Sequence, residues 1–353
     1  MTDESSIRPI LSHPGRRRSV RWLQSGAMSP ARTTTDADGQ ASGSPAPGQA
    51  PRPWHGVDHA ENFPVGSWLV PAQLRPAVLA IYRFARHADD LADEGDVPTA
   101  EREAALQALH SALDEAARGV PSGVPVVDGL VASVQRHGLH WRHFHDLLDA
   151  FLQDLRVTRY DTEAQVQDYC RRSANPVGRL LLQLYGVGSD TALAQSDAIC
   201  SALQRINFLQ DIGIDAAKDR VYLPATTLAA AGSSAETLLA EARAGRLGAA
   251  SRQAVRLEWQ STQAQLLAGV ALPQQLPWRL AAELRFIIAG GQRILDRIAH
   301  ADYDSVARRP ALGWRDGPAL LSSSLVSPRR DVVTPCDIGG LLSALRRRCR
   351  RGL

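Results

Sequence analysis

Apolar residues along most of the chain recur every three or four positions, the period of a helix that buries one face. In PTAEREAALQALHSALDEAARG, residues 98–119, Ala104, Leu106, Leu109 and Leu113 form such a stripe, with charges on the other side. Further helices are predicted at Val126–His137, Trp141–Arg156, Tyr169–Ser173, Ala192–Ala217, Ala235–Ala244, Arg252–Leu267 and Trp278–Ala299. Strand-like alternation is absent, and no GxGxxG follows a strand, which argues against a Rossmann nucleotide domain. The pattern therefore predicts an all-α fold, a helical bundle with a central cavity.

Breaks in the pattern place the element ends. Pro64, Pro71 and Pro76 precede a helix carrying Tyr82 to Asp93, and Glu94, Gly95 and Asp96 stop it. Asn175 and Pro176 interrupt the helix that holds Tyr169 to Ser173. A proline inside a helix removes a backbone donor, so a kink is expected there, either facing a cavity or only adjusting helix packing. Gly178 allows a neighbouring group to come close. Gly290 and Gly291 weaken the last helix by about 1 kcal/mol each relative to Ala, which close packing or a pocket wall would justify.

Polar positions repeat as well. Gln204, Asn207, Asp211 and Asp215 are spaced three, four and four apart and form one nearly axial stripe on a helix. Two carboxylates one turn apart repel each other unless a cation lies between them, and hard oxygen donors on a helix suit Mg²⁺ together with phosphate oxygens. Lys218, Arg220 and Tyr222 follow, placed to grip a phosphate. A lone DxxxD is equally what a solvated helix face carries. The chain has a second stripe, Tyr82, Arg86, Asp89 and Asp93 with Asp90 beside them, inside IYRFARHADDLAD. Two facing acid pairs would hold divalent ions with a diphosphate as the bridging anion.

DDLAD paired with NFLQDIGID, together with HAENFP at 59–64 and YCRRSANPVGR at 169–179, resembles the squalene and phytoene synthase family over roughly residues 56–320. ENFPVGSWLVP, RPAVLAIYRFARHADDLADEGD and SANPVGR are most similar to its bacterial hydroxysqualene synthase branch in hopanoid biosynthesis. The resemblance implies an isoprenoid synthase-type bundle, an isoprenoid diphosphate substrate and Mg²⁺ on Asp89, Asp93, Asp211 and Asp215. It also implies that His59, Asn62 and Phe63 line the diphosphate end and the isoprenoid pocket, and that Tyr169, Ala174, Val177 and Gly178 lie near the reacting carbons. Tyr82, Phe63 and Tyr169 offer aromatic faces to a cation. The branch implies that presqualene diphosphate and water give hydroxysqualene and diphosphate without NADPH. Asn175, Asn207 and Tyr169 are the polar candidates for positioning that water. Condensation of two farnesyl diphosphates to presqualene diphosphate, or squalene synthesis with NADPH, remain as rivals, and a helical interaction protein is the non-enzymatic alternative.

Composition narrows the setting. The chain has 353 residues, 44% of them hydrophobic, and a net charge of +3, which point to a globular protein and give no sign of a nucleic-acid partner. Cys170, Cys200, Cys336 and Cys349 lack CxxC spacing and read as free thiols in a reducing cytoplasm. His143, His145 and Asp149 lack an HxxxH pair and read as surface groups of a helix start. Asp154 and Arg156 are plausible supports for the site. Residues 1–55 are a Pro, Gly, Ser and Ala mixture expected to be disordered, with Met28 as an alternative start. Residues 56–326 form the expected catalytic domain. The tail 327–353 ends in IGGLLSALRRRCRRGL, which fits either peripheral contact with an anionic membrane face or a solvated flexible tail.

Overall fold

The computed structural model describes residues 69–93, 97–313, 316, 317 and 320. Among these residues there is no strand. The helices are α1 (Arg75–Asp93), α2 (Thr99–Ala117), α3 (Pro125–His137), α4 (Arg142–Asp154), α5 (Glu163–Ser173), α6 (Asn175–Leu184), α7 (Asp190–Gln210), α8 (Ile212–Ala217), α9 (Ala225–Ala230), α10 (Ala235–Arg243), α11 (Ala249–Gly269) and α12 (Trp278–His300), with a 3-10 turn at Leu272–Gln275. The all-α expectation holds. Local chemistry sets several ends. Thr162 and Gln165 form a reciprocal capping box at the start of α5, the Ser189 and Ser234 hydroxyls cap α7 and α10, and Gly138 ends α3 in the left-handed region.

Burial of the apolar faces gives two cores. One joins α1, α2, α3, α4 and α6 through Ile81, Phe84, Leu106, Leu130, Phe144 and Leu180, with the Phe84 and Phe144 rings edge to face at 5.3 Å. The other gathers Ile199, Leu209, Val255, Ile294, Leu295 and Ile298 from α7, α11 and α12. A smaller aromatic cluster of Tyr160, Tyr169, Phe208 and Tyr222 lies where α5 meets the end of α7. Helix α7 is the axis of the second half, packed on α5, α6, α11 and α12. Glycines make this possible: a Cβ at Gly178 would collide with Ser196 and stand 2.6 Å from Cys200 Sγ, and one at Gly291 would lie 2.9 Å from Leu203. Close packing is therefore the reason for Gly291, whereas Gly290 has only an ordinary neighbour, Leu312, at 3.4 Å.

Three expectations are corrected. Ala192–Ala217 is not one helix: α7 ends at Gln210, Asp211 takes φ −108° and ψ 15°, and α8 restarts at Ile212. The reason is tertiary. Gln210 Nε2 donates to the Pro310 carbonyl, and the Ser305 hydroxyl donates to the Leu209 carbonyl, so the chain after α12 takes over groups at the junction. Pro176 does not kink a helix; it sits in the first turn of α6, where its missing N–H is not needed, and Ala174 separates α5 from α6. His143 is buried, not a surface group.

No described helix is long and apolar enough to cross a membrane. The expectations for residues 1–55 and 327–353 lie outside the described residues.

Gly178→Ala should lower stability by about 1–3 kcal/mol because α6 and α7 must part, whereas Gly129→Ala, with nothing within 4 Å of the added carbon, should gain up to about 1 kcal/mol from helix propensity; urea denaturation midpoints compare them. Burial, aided by Arg179, His140 and Arg142 and opposed by Asp197, lowers the His143 pKa to about 4. The unfolded chain, with an imidazole pKa near 6.5, then takes up the proton first. Melting temperature should therefore fall as pH drops from about 6.5 toward 4, and His143→Gln should flatten that part of the curve.

Candidate functional site

The carboxylate of Asp211 is buried at the α7–α8 junction and accepts a hydrogen bond from Arg309 Nε at 2.6 Å. Asp215, one turn on, is 2% exposed, and its N–H donates to the Asp211 carbonyl at 2.8 Å. The helical hydrogen bond thus continues across the junction, and Gln204, Asn207, Asp211 and Asp215 keep their succession despite the bend. All four are buried. A buried carboxylate needs a cation or several donors to stay ionised, and Arg309 supplies one charge at Asp211.

On α1, Asp89 is buried and Tyr82 half-buried against the first core. Arg86 sits between neighbouring acids, with Nη1 3.3 Å from Asp89 Oδ2 and Nη2 2.8 Å from Asp90 Oδ1. It thus neutralises its own helix's carboxylates. Asp93 is the last residue of α1, and its side chain lies outside the described residues. Among the described residues no group of three or more His, Cys, Asp or Glu is arranged to hold a metal ion, so the expected joining of the two acid stripes into one cluster is not found there. The donors that are described, the buried oxygens of Asp89, Asp211 and Asp215, are of the hard type that Mg²⁺ takes.

After α8 the chain turns at Asp219, which has φ 56° and is held by Arg159 and Arg243. Lys218 lies half-buried at the end of α8, and Arg220 Nη2 donates to the Asp154 carbonyl at 2.7 Å. Tyr222 is buried. Its ring is stacked on Phe208 at 3.9 Å in the aromatic cluster. Tyr169 lies in the same cluster, donates from its hydroxyl to Asp154 Oδ2 at 2.8 Å, and has its pKa pushed well above the phenol range by burial and by that carboxylate. Asp154 therefore ties the aromatic wall to the basic turn, whereas Arg156 pairs with Glu103 at the surface.

Below this end a groove of about 870 Å³, mouth included, runs between α6, α7, the 3-10 turn and α12. Its walls are largely leucine and isoleucine, with Ala174, Val177, Gly178 and Gln204 among the lining residues. One helix thus carries both parts of the site. From Gln204 to Asp211 the rise along α7 is about 10 Å. The structure brings Val177, Gly178 and Gln204 together on the groove and places Tyr169 and Tyr222 behind it; His59, Asn62 and Phe63 lie outside the described residues.

Arg309 was not legible in the sequence, since nothing in ARRP marks its distant partner. The α12 wall, with Leu280, Glu283, Leu284 and Ile287 on the groove, had a signal in the apolar stretch ELRFII. Asn175 is committed to structure, its Oδ1 accepting from the Ser201 hydroxyl at 2.9 Å. His145 stacks on His110 beside Asp114 and Asp149, an α2–α4 surface cluster away from the groove.

An all-helical fold with an apolar groove on α7 and buried carboxylates further along the same helix is of the isoprenoid synthase type, and the fold comparison agrees. The fold resembles the crystal structure of squalene synthase HpnC from Alicyclobacillus acidocaldarius with a TM-score of 0.63 and 37% identity, covering 69% of this chain and 89% of that one. The squalene/phytoene synthase family profile matches residues 57–316, and the chain belongs to that family. Hydroxysqualene synthase of Zymomonas mobilis is 40% identical over 181 residues, half of this chain and 59% of that protein. Hydroxysqualene synthase of Sinorhizobium fredii is 36% identical over 244 residues, 69% of this chain and 80% of that protein.

Arg309→Ala should cost about 1–3 kcal/mol, since it strips a charged partner from a buried carboxylate. Adding Asp211→Asn should recover most of that loss, and a double-mutant cycle by chemical denaturation measures the coupling.

Proposed function

We propose that the protein converts presqualene diphosphate and water into hydroxysqualene and diphosphate, in squalene and hopanoid biosynthesis. The observation that carries this reading is the course of α7, whose side chains pass from an apolar groove wall at Leu203 and Gln204 to the buried Asp211 within two turns. An amphiphile with a long hydrocarbon body and an anionic head fits such a gradient. Similarity to two proteins called hydroxysqualene synthase supports the choice of reaction.

Asp89, Asp93, Asp211 and Asp215 are the residues that would hold Mg²⁺. When bound, Mg²⁺ supplies positive charge to the diphosphate and makes it a better leaving group. Lys218 and Arg220 add cationic charge near the same end, and Arg86 balances Asp89 on α1. His59, Asn62 and Phe63 are the residues that, by the resemblance, would line the diphosphate end and the isoprenoid pocket. The groove wall of Val177, Leu181 and Leu203 keeps bulk water from the carbocation left behind. Tyr82 and Tyr169 are the aromatic residues that would stabilise that cation.

Purified protein incubated with Mg²⁺ and presqualene diphosphate, without NADPH, should release hydroxysqualene, identified by mass analysis of the extracted C30 lipid. EDTA should stop the reaction, and Asp89→Ala or Asp211→Ala should each lower turnover by at least about 100-fold, the scale of losing a group that stabilises charge in the transition state. Conversion of farnesyl diphosphate to presqualene diphosphate, with no alcohol formed, would instead assign the condensation step. Unchanged turnover in both variants would refute the carboxylate assignment.

A further inference from the structure

The groove holds one polar group whose environment is unusual. Gln204 is 3% exposed, lines the groove from α7, and its Oε1 is buried with no hydrogen-bond partner among the described residues. Leaving a buried amide oxygen unsatisfied costs about 1–3 kcal/mol, so a ligand carrying a donor gains that much by meeting it. The neighbouring polar side chains on the same helix differ. Ser196 and Cys200 pack against Gly178, and burial pushes the Cys200 thiol up to about 12, so it stays neutral and unreactive.

We propose that Gln204 is the positioning residue for the water that captures the carbocation. This rests on the water-capture reading above and names the group that directs it. Rotation about the terminal amide torsion, which is soft, turns Oε1 into the groove. There it accepts a hydrogen bond from one water O–H and leaves the water's lone pair facing the cation. A neutral amide suits this task better than a carboxylate, which beside a carbocation would remove a proton to give an alkene or add to the carbon as an ester. The bonds balance. The carbon–oxygen bond to diphosphate breaks with both electrons leaving on the diphosphate. The cyclopropylcarbinyl cation then rearranges and its three-membered ring opens, which moves the positive charge to another carbon. The water oxygen bonds to that carbon, and one proton of the resulting oxonium passes to the released diphosphate. The position of Gln204, about 10 Å along α7 before Asp211, keeps that water on the hydrocarbon side of Asp211 and Asp215.

The experiment is product partitioning per diphosphate released, with the full-length chain, Mg²⁺ and presqualene diphosphate, extracted C30 alcohol and hydrocarbon being counted separately. Gln204→Met keeps length and removes the acceptor, and it should lower the alcohol fraction at least ten-fold, with unsaturated hydrocarbon taking its place. Gln204→Asn, whose amide is one methylene shorter, should give an intermediate fraction, and it serves also if the Met variant does not fold. A purely structural role would slow turnover without moving the ratio. An alcohol fraction equal to wild type in either folded variant overturns the assignment of Gln204 alone. Absence of alcohol from the wild-type protein overturns the water-capture reading, and this inference with it.

Discussion

The structure depends on burying the second half of α7, from Ser201 to Gln210, on nearly every side. A helix in that position must bring its backbone close to several neighbours, and the chain does this by omitting side chains at the contacts. Gly178 on α6 and Gly291 on α12 stand where a Cβ would meet Ser196, Cys200 or Leu203, and a Cβ at Gly269 on α11 would lie 2.6 Å from the Gln195 carbonyl. Charge is handled with equal economy. The buried Arg205 is neutralised by the buried Glu258 at 2.6 Å and by the half-exposed Glu163 at 2.7 Å.

Burial also decides what the ends of α7 can do. Its first half, against α6 and α12, forms the wall of an apolar groove, and its last turn delivers Asp211 to a junction bound by Arg309. The bend at Asp211 is stabilised by the segment after α12, whose Ser305 and Pro310 exchange hydrogen bonds with α7. The same segment therefore sets both the local backbone and the charge around the first acid of the pair. Behind it, the Tyr169–Asp154 hydrogen bond and the Phe208–Tyr222 stack connect α4, α5 and the turn after α8. Arg220 joins the same region through its hydrogen bond to the Asp154 carbonyl.

Much of this was legible in the chain. Helical periodicity is a local property repeated over many residues, so the all-α class, the stripe of Leu106, Leu109 and Leu113, and the succession from Gln204 to Asp215 could be read without coordinates. The family resemblance rested on DDLAD and NFLQDIGID, short strings whose spacing the helix preserves. Side-chain partners were a different matter. Arg86 on α1 pairs with Asp89 and Asp90, carboxylates one turn away on its own helix. Tyr222, two residues after Arg220, stacks its ring on Phe208, a partner fourteen positions earlier in the chain. His143 was expected at the surface, although α4 turns that position toward the protein interior.

By itself, then, the sequence determined the helices, the order of polar groups along α7 and the kind of chemistry that paired acids with an apolar cavity support. Only the tertiary structure decided where α7 bends, which acids meet a cation at once, and that Gln204 Oε1 has no hydrogen-bond donor among the described residues. The physical reason is reach. Periodicity and spacing act within a few turns of one helix, whereas Arg309 on Asp211, Ser305 on Leu209 and the groove around Gln204 join residues about a hundred positions apart in the chain. Such contacts exist only once the two cores have closed on α7.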